Sequence, residues 1–179
     1  VSPHAGFVYS GDVAGAVYSQ IEIPDTIILM GPNHTGLGER VSIMTEGIWN
    51  MPQGNIKVDN QLADAICQTS SIAKEDSRAH QKEHALETQL PFLQFYRDEF
   101  QIVPICMKQL KLEECEEISQ TIVKEVEQLG RHVLIVASSD MTHYETHESA
   151  SKKDKNVIDQ ILKLDAKELY NTVHKNNIS

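Results

Sequence analysis

The sequence predicts an α/β layered domain, with a mostly parallel central sheet and helices on both of its faces. Three observations carry that reading. Short β-branched apolar runs occur at residues 26–30 (TIILM), 102–107 (IVPICM) and 133–137 (VLIVA), and strands apolar on both faces belong in a sheet covered on both sides. Segments with helical apolar spacing lie between and after those runs, the alternation that defines layered α/β domains. The 179 residues suffice for one domain with a single core, and no repeat, low-complexity tract or linker divides residues 1–179.

Each element follows from its own residues. Val1 to His4 reads as the end of a strand whose beginning is absent, which suggests a fragment, and the small residues of PHAGFVYSG (residues 3–11) read as a loop closed by Gly11. The 26–30 strand ends at Gly31-Pro32, a turn signal. Between Val41 and Val58, β-branched residues interrupted by Gly47, Pro52 and Gly54 predict irregular strands and turns. Asp59 can cap a helix running to about Ser70, with Leu62, Ala65 and Ile66 facing inward. Residues 84–95 carry Leu86, Leu90 and Leu93 on one stripe, and Pro91 predicts a break near Glu87. Pro104 lacks an N–H, so its strand is expected at an edge or in an interrupted ladder. Residues 112–129 place Ile118, Ile122, Val126 and Leu129 opposite a row of acids, an amphipathic helix. Two last helices are expected at about 149–164 and 165–175.

Composition excludes several functions. Sixteen Lys and Arg against 26 Asp and Glu give a net charge of −10, and no basic stripe is present, so nucleic acid is not an expected partner. No apolar run approaches the roughly 18 residues of a membrane span. Cys67, Cys106 and Cys115 are odd in number and irregular in spacing, which points to the reducing cytoplasm rather than a disulfide framework. Ser10-Gly11 lacks the phosphate-loop glycine and lysine spacing, so no nucleotide cofactor is expected. Ser138-Ser139-Asp140 lacks the glycine-flanked elbow of serine hydrolases, and its hydroxyls are better suited to capping a helix or binding a ligand.

The histidines are more informative. His4 lies in PHAGFVYSG, His34 in GPNHTG (residues 31–36) directly after the first apolar strand, and His143 in SSDMTHY (residues 138–144) directly after the last. His84 follows Glu83 in HQKEHALETQLPF (residues 80–92). Loops at the carboxyl ends of parallel strands converge on one crevice, where ligands bind in open α/β sheets. Neutral imidazoles ligate iron, copper and zinc, and a further histidine can carry protons near neutral pH. Asp140, three residues before His143, is placed to accept its ring N–H. A lone histidine after a strand is more often a hydrogen-bonded loop residue. The charged settings of His132, His147 and His174 suit surface positions, and His80 is ambiguous.

Six ordered motifs, PHAGFVYSG, ILMGPNHTG, the Trp49–Gly54 stretch, EHALETQLPFLQ, IVPICM and IVASSDMTHY, span residues 1 to about 144 and resemble the Memo family. Its prokaryotic members are known as protein B of the AmmeMemoRadiSam system. The resemblance implies a fold similar to the class III extradiol dioxygenases. It implies metal ligands at His4 and His34 and an acid/base pair at His143 and Asp140. Glu83, His84 and Asn33 take supporting positions around the ligands. The implied cofactor is a metal ion, iron or copper, with zinc as the alternative. The family's C-terminal cysteine ligand has no counterpart here, so the family's N-terminal and C-terminal segments are read as missing. Two activities are implied: a metal-dependent redox or oxygenase-like function, and a non-catalytic module using the same pocket for a peptide or small molecule. A functional link to a radical SAM protein follows from the family name alone.

Overall fold

The computed structural model describes residues 1–178, with elements in the order α1 (Phe7–Tyr18), β1 (Thr26–Pro32), β2 (Val41–Ile43), β3 (Ile48–Met51), β4 (Gly54–Val58), α2 (Asn60–Thr69), β5 (Ala73–Glu75), α3 (Leu90–Tyr96), β6 (Gln101–Met107), α4 (Leu112–Gln128), β7 (Val133–Ala137), α5 (His147–Lys163) and α6 (Ala166–Asn176). The chain divides into two units, Val1–Ser139 and Asp140–Ser179.

The first unit is an α/β layer built on one mixed, mostly parallel sheet of seven strands. The three apolar runs lie side by side: β1 pairs in parallel with β6 on one side and with β7 on the other, and β7 ends the sheet, so this run, expected to be covered on both faces, leaves Ile135 half exposed. β4 joins β6 in parallel and carries β3 as an antiparallel partner, while β2 runs antiparallel to β6 and pairs in parallel with β5. Thus the region between Val41 and Val58, expected to be irregular, is three short regular strands. Helices flank the sheet in two pairs, α2 against α4 and α1 against α3. Ile27, Ile28 and Leu29 of β1 and Ile102, Val103 and Ile105 of β6 are wholly buried, as are Leu62 and Ile66 of α2 and Leu90 and Leu93 of α3. That burial is the main favourable contribution to folding.

The proline of β6 shows how the ladder tolerates it. β6 is an interior strand, so the edge position is excluded. Its pairing with β4 ends at Ile102 and its pairing with β2 begins at Ile105. Pro104 therefore falls in the gap between two neighbours, where the ladder is already interrupted.

Local signals set the helix boundaries. Asp59 caps α2 by accepting from the Leu62 N–H at 3.1 Å, and α2 ends at Ser70. Pro91 sits in the first turn of α3, where its missing N–H costs nothing, and a 3-10 turn at Glu87–Gln89 precedes it.

α1 was not expected, because Gly6, Gly11 and Gly15 break any helical signal and interior glycines disfavour helix by roughly 1 kcal/mol each. The structure gives the compensation. The Phe92 side chain of α3 packs against this face of α1, where a Cβ at Gly11 or Gly15 would lie 4.0 and 3.9 Å from its ring, in ordinary contact. Phe92 also stacks on Tyr18 at 5.7 Å between centroids.

The second unit is a helical hairpin of α5 and α6. Thr146 caps α5 and Asp165 caps α6, each by accepting a backbone N–H three residues on. Leu164 turns the chain between them in the left-handed conformation, φ 55°.

Candidate metal centre

Strands β1 and β7 are parallel, so the loops after Pro32 and Ala137 leave the same edge of the sheet. Ser2 joins that edge through a parallel bridge to Ser138, with Ser2 N–H donating to Ala137 O at 3.0 Å and Ser139 N–H to Ser2 O at 2.9 Å. Where the sequence reads as a strand end, the structure shows this single bridge. It delivers His4 beside the β1 loop that carries His34.

The third ring is His84, which sequence reasoning gave a supporting position. His4, His34 and His84 each offer one ring nitrogen, and the three nitrogens lie within 4.8 Å of one another. The His4 and His34 centroids are 5.3 Å apart, His4 and His84 5.6 Å, and the His34 and His84 rings stack at 4.9 Å. His4 is buried, whereas the side chains of His34 and His84 are 44% and 57% exposed, so one side of the cluster is accessible.

Glu83 organises two of the three. Its carboxylate is buried and accepts from the His34 backbone N–H at 2.6 Å and from the His84 and Ala85 N–H groups at 2.9 and 3.0 Å. Burial alone would raise its pKa. The His34 ring N–H, the two backbone donors on Ala85 and His34, and the His34 charge outweigh that and hold it below the ordinary carboxylate value. An ionised carboxylate only accepts, so His34 Nδ1, 2.8 Å from Glu83 Oε1, carries the ring proton and Nε2 carries the lone pair. A carboxylate behind a ligating imidazole is the usual device for fixing tautomer and ring direction. His84 Nδ1 lies 3.4 Å from the same oxygen. Convergent imidazoles, which ligate a metal in their neutral form, fit iron, copper or zinc.

Asn33 supports this arrangement from the backbone. Its side chain donates to Leu37 O at 2.6 Å and accepts from Thr35 Oγ1 and Gly36 N–H, closing the turn that presents His34. Asp76 pins the far side of the same loop: it accepts from Glu39 N–H at 3.0 Å and binds the Arg78 guanidinium, whose hydrogen bonds hold its carboxyl down at about 2.

His143 and Asp140 belong to the second unit. His143 Nδ1 donates to the Met141 carbonyl at 2.9 Å, and Asp140 Oδ2 is 3.8 Å from Nε2. Met141 adopts φ 64°, the left-handed turn that brings its carbonyl back to the ring. His132, His147 and His174 are exposed.

His80 is buried and plays a structural part. Its Nε2–H donates to Ser42 O at 3.2 Å, and its Nδ1 accepts from the Cys106 thiol at 3.5 Å. Burial lowers His80 to about 4 and raises Cys106 to about 12, so neither is a nucleophile or base at neutral pH. The sign of the pH effect follows. The unfolded chain takes up a proton on His80 near its ordinary 6.5, while the folded chain resists until about 4. The stability this contributes is present above 6.5 and declines as pH falls towards 4, by at most about 1.4 kcal/mol per pH unit. Urea unfolding across that window is expected to show a flatter pH dependence in His80→Gln than in the wild type.

Fold and site together define an α/β protein with a three-histidine cluster at the carboxyl edge of a mostly parallel sheet. Residues 1–179 match the profile of the Memo-like protein family. The chain is 41% identical to a MEMO1 family protein of Methanopyrus kandleri, covering all of this chain and 65% of the relative. It is 44% identical to a MEMO1 family protein of Methanosarcina acetivorans over the whole chain and 66% of the relative. It is also 42% identical to one of Archaeoglobus fulgidus, over 98% of the chain and 66% of the relative. The chain belongs to the Memo-like family, and it spans 65% to 66% of the length of these relatives. Among the described residues, no helix is long and apolar enough to cross a membrane.

Proposed function

We propose that this protein holds one transition-metal ion on His4, His34 and His84 and uses it in redox chemistry on a small-molecule substrate. The observation that carries the reading is the convergence of three imidazole nitrogens within 4.8 Å, with a buried carboxylate orienting one of the rings. Imidazole ligands suit iron and copper as well as zinc. A metal ion bound there supplies a Lewis acid for a substrate oxygen and, if iron or copper, a route for electrons.

The chain's own residues do the rest. Glu83 holds the His34 proton on Nδ1 and so turns Nε2 outwards. The exposed His34 and His84 edges leave room for substrate beside the ligands. His143, with its Nδ1 proton engaged by Met141, presents Nε2 as the nitrogen able to accept a proton, consistent with an acid/base role.

Metal content of protein purified anaerobically without chelators, measured by plasma mass spectrometry, tests the reading. Near-stoichiometric iron or copper, absent from His34→Ala, is the expected result. Zinc alone would remove the redox part. No retained metal, and no uptake when iron or copper is supplied, would move the pocket to peptide or small-molecule recognition.

A further inference from the structure

The geometry points to a buried relay, Tyr18–Gln89–Ser138, that places the His4 ring proton on Nδ1 and thereby makes Gln89 and Ser138 positioning residues for the metal site. The inference rests on the proposed metal reading for its consequence, although the proton placement itself does not.

Every atom in the relay has one admissible role. The Pro3 carbonyl only accepts, so the end of the Gln89 amide 2.8 Å from it is the NH2 group. The other end, Oε1, accepts from Tyr18 OH at 2.7 Å. Tyr18 is buried, and burial pushes its phenol well above the ordinary value, so it stays protonated and can donate. With the amide fixed at both ends, its second N–H points at Ser138 Oγ, 3.0 Å away. The Ser138 hydroxyl has one proton, and the Ala85 carbonyl at 2.7 Å can only accept it. Ser138 thus donates to Ala85, accepts from Gln89, and has a single lone pair remaining. His4 Nδ1 lies 2.8 Å from that oxygen, so it must be the donor. In the neutral His4 ring the lone pair is then on Nε2.

Tyr18, Gln89 and Ser138 are each 5% exposed or less, so water does not offer the relay an alternative partner at this depth. The neutral imidazole in water favours the opposite form, with the proton on Nε2, so the protein has selected the less common tautomer. His34 is held in the same form by Glu83. Two rings from different loops therefore share one tautomer through unrelated devices, a carboxylate for one and a hydroxyl–amide relay for the other. The segment from Glu83 to Gln89 supplies the carboxylate, the relay's amide and the Ala85 carbonyl, together with His84.

Long-range 1H–15N spectra of the metal-free full chain, labelled on histidine and recorded above the imidazole range, read the His4 tautomer directly. The expected wild-type spectrum has Nδ1 protonated and Nε2 unprotonated. Ser138→Ala is expected to return His4 to the Nε2–H form and to weaken Zn2+ and Fe2+ binding, measured by chelator competition, about 10- to 100-fold. A wild-type His4 protonated on Nε2, or a Ser138→Ala protein with unchanged tautomer and affinity, would overturn the relay. Wild-type protein with the expected tautomer that binds neither ion would support the relay and sink the metal reading, so the two failures are distinct.

Discussion

Replacing Glu83 by alanine is expected to destabilise the fold by about 3 kcal/mol and to abolish metal retention. The carboxylate accepts four hydrogen bonds, from the His34 and His84 backbone N–H groups, the Ala85 N–H and the His34 ring. Its removal leaves the Ala85 N–H buried without an acceptor, and an orphaned buried donor costs about 1–3 kcal/mol. The same substitution frees the His34 ring to take either tautomer and loosens the loop that brings His84 beside it. Chemical denaturation gives the stability, and metal analysis of the purified variant gives the retention. A variant as stable as the wild type with its metal intact would show that Glu83 organises nothing.

Loss of stoichiometric metal in His84→Ala, with stability within about 0.5 kcal/mol of the wild type, is the second expectation. The side chain is 57% exposed, so its truncation buries no cavity. This variant separates two descriptions of the site. The family resemblance implies His4 and His34 as the protein ligands in this stretch, whereas the geometry puts the His84 ring at 4.9 and 5.6 Å from theirs. Metal retained in His84→Ala and lost in His34→Ala would return His84 to a supporting position. Metal lost from both makes the cluster a three-histidine site.

Much of the fold was legible because its signals are local. Three apolar runs became three adjacent parallel strands, and β1 and β6 are buried because their residues have no polar face to offer water, whereas β7 at the end of the sheet leaves Ile135 half exposed. Asp59 and Pro91 mark helix starts by backbone chemistry that operates within one turn, and both boundaries fall where that chemistry puts them. α1 was hidden for the converse reason. Its glycines lower helix propensity locally, and the packing of Phe92 against the helix and on Tyr18 comes from a residue far along the chain.

For the site, the sequence by itself determined which loops matter. His4 and His34 lie in small-residue motifs next to strand ends, and Glu83 and His84 sit in a polar motif dense with hydrogen-bonding groups. Which nitrogen each ring presents, and to whom, is set by contacts in three dimensions. That depends on the single proton of Ser138, on the direction of the Gln89 amide, and on a carboxylate 49 residues away from the histidine it orients. Hydrogen bonds are satisfied between neighbours in space, and a proton's position is settled by the last acceptor left without a donor, which no spacing along a chain can reveal.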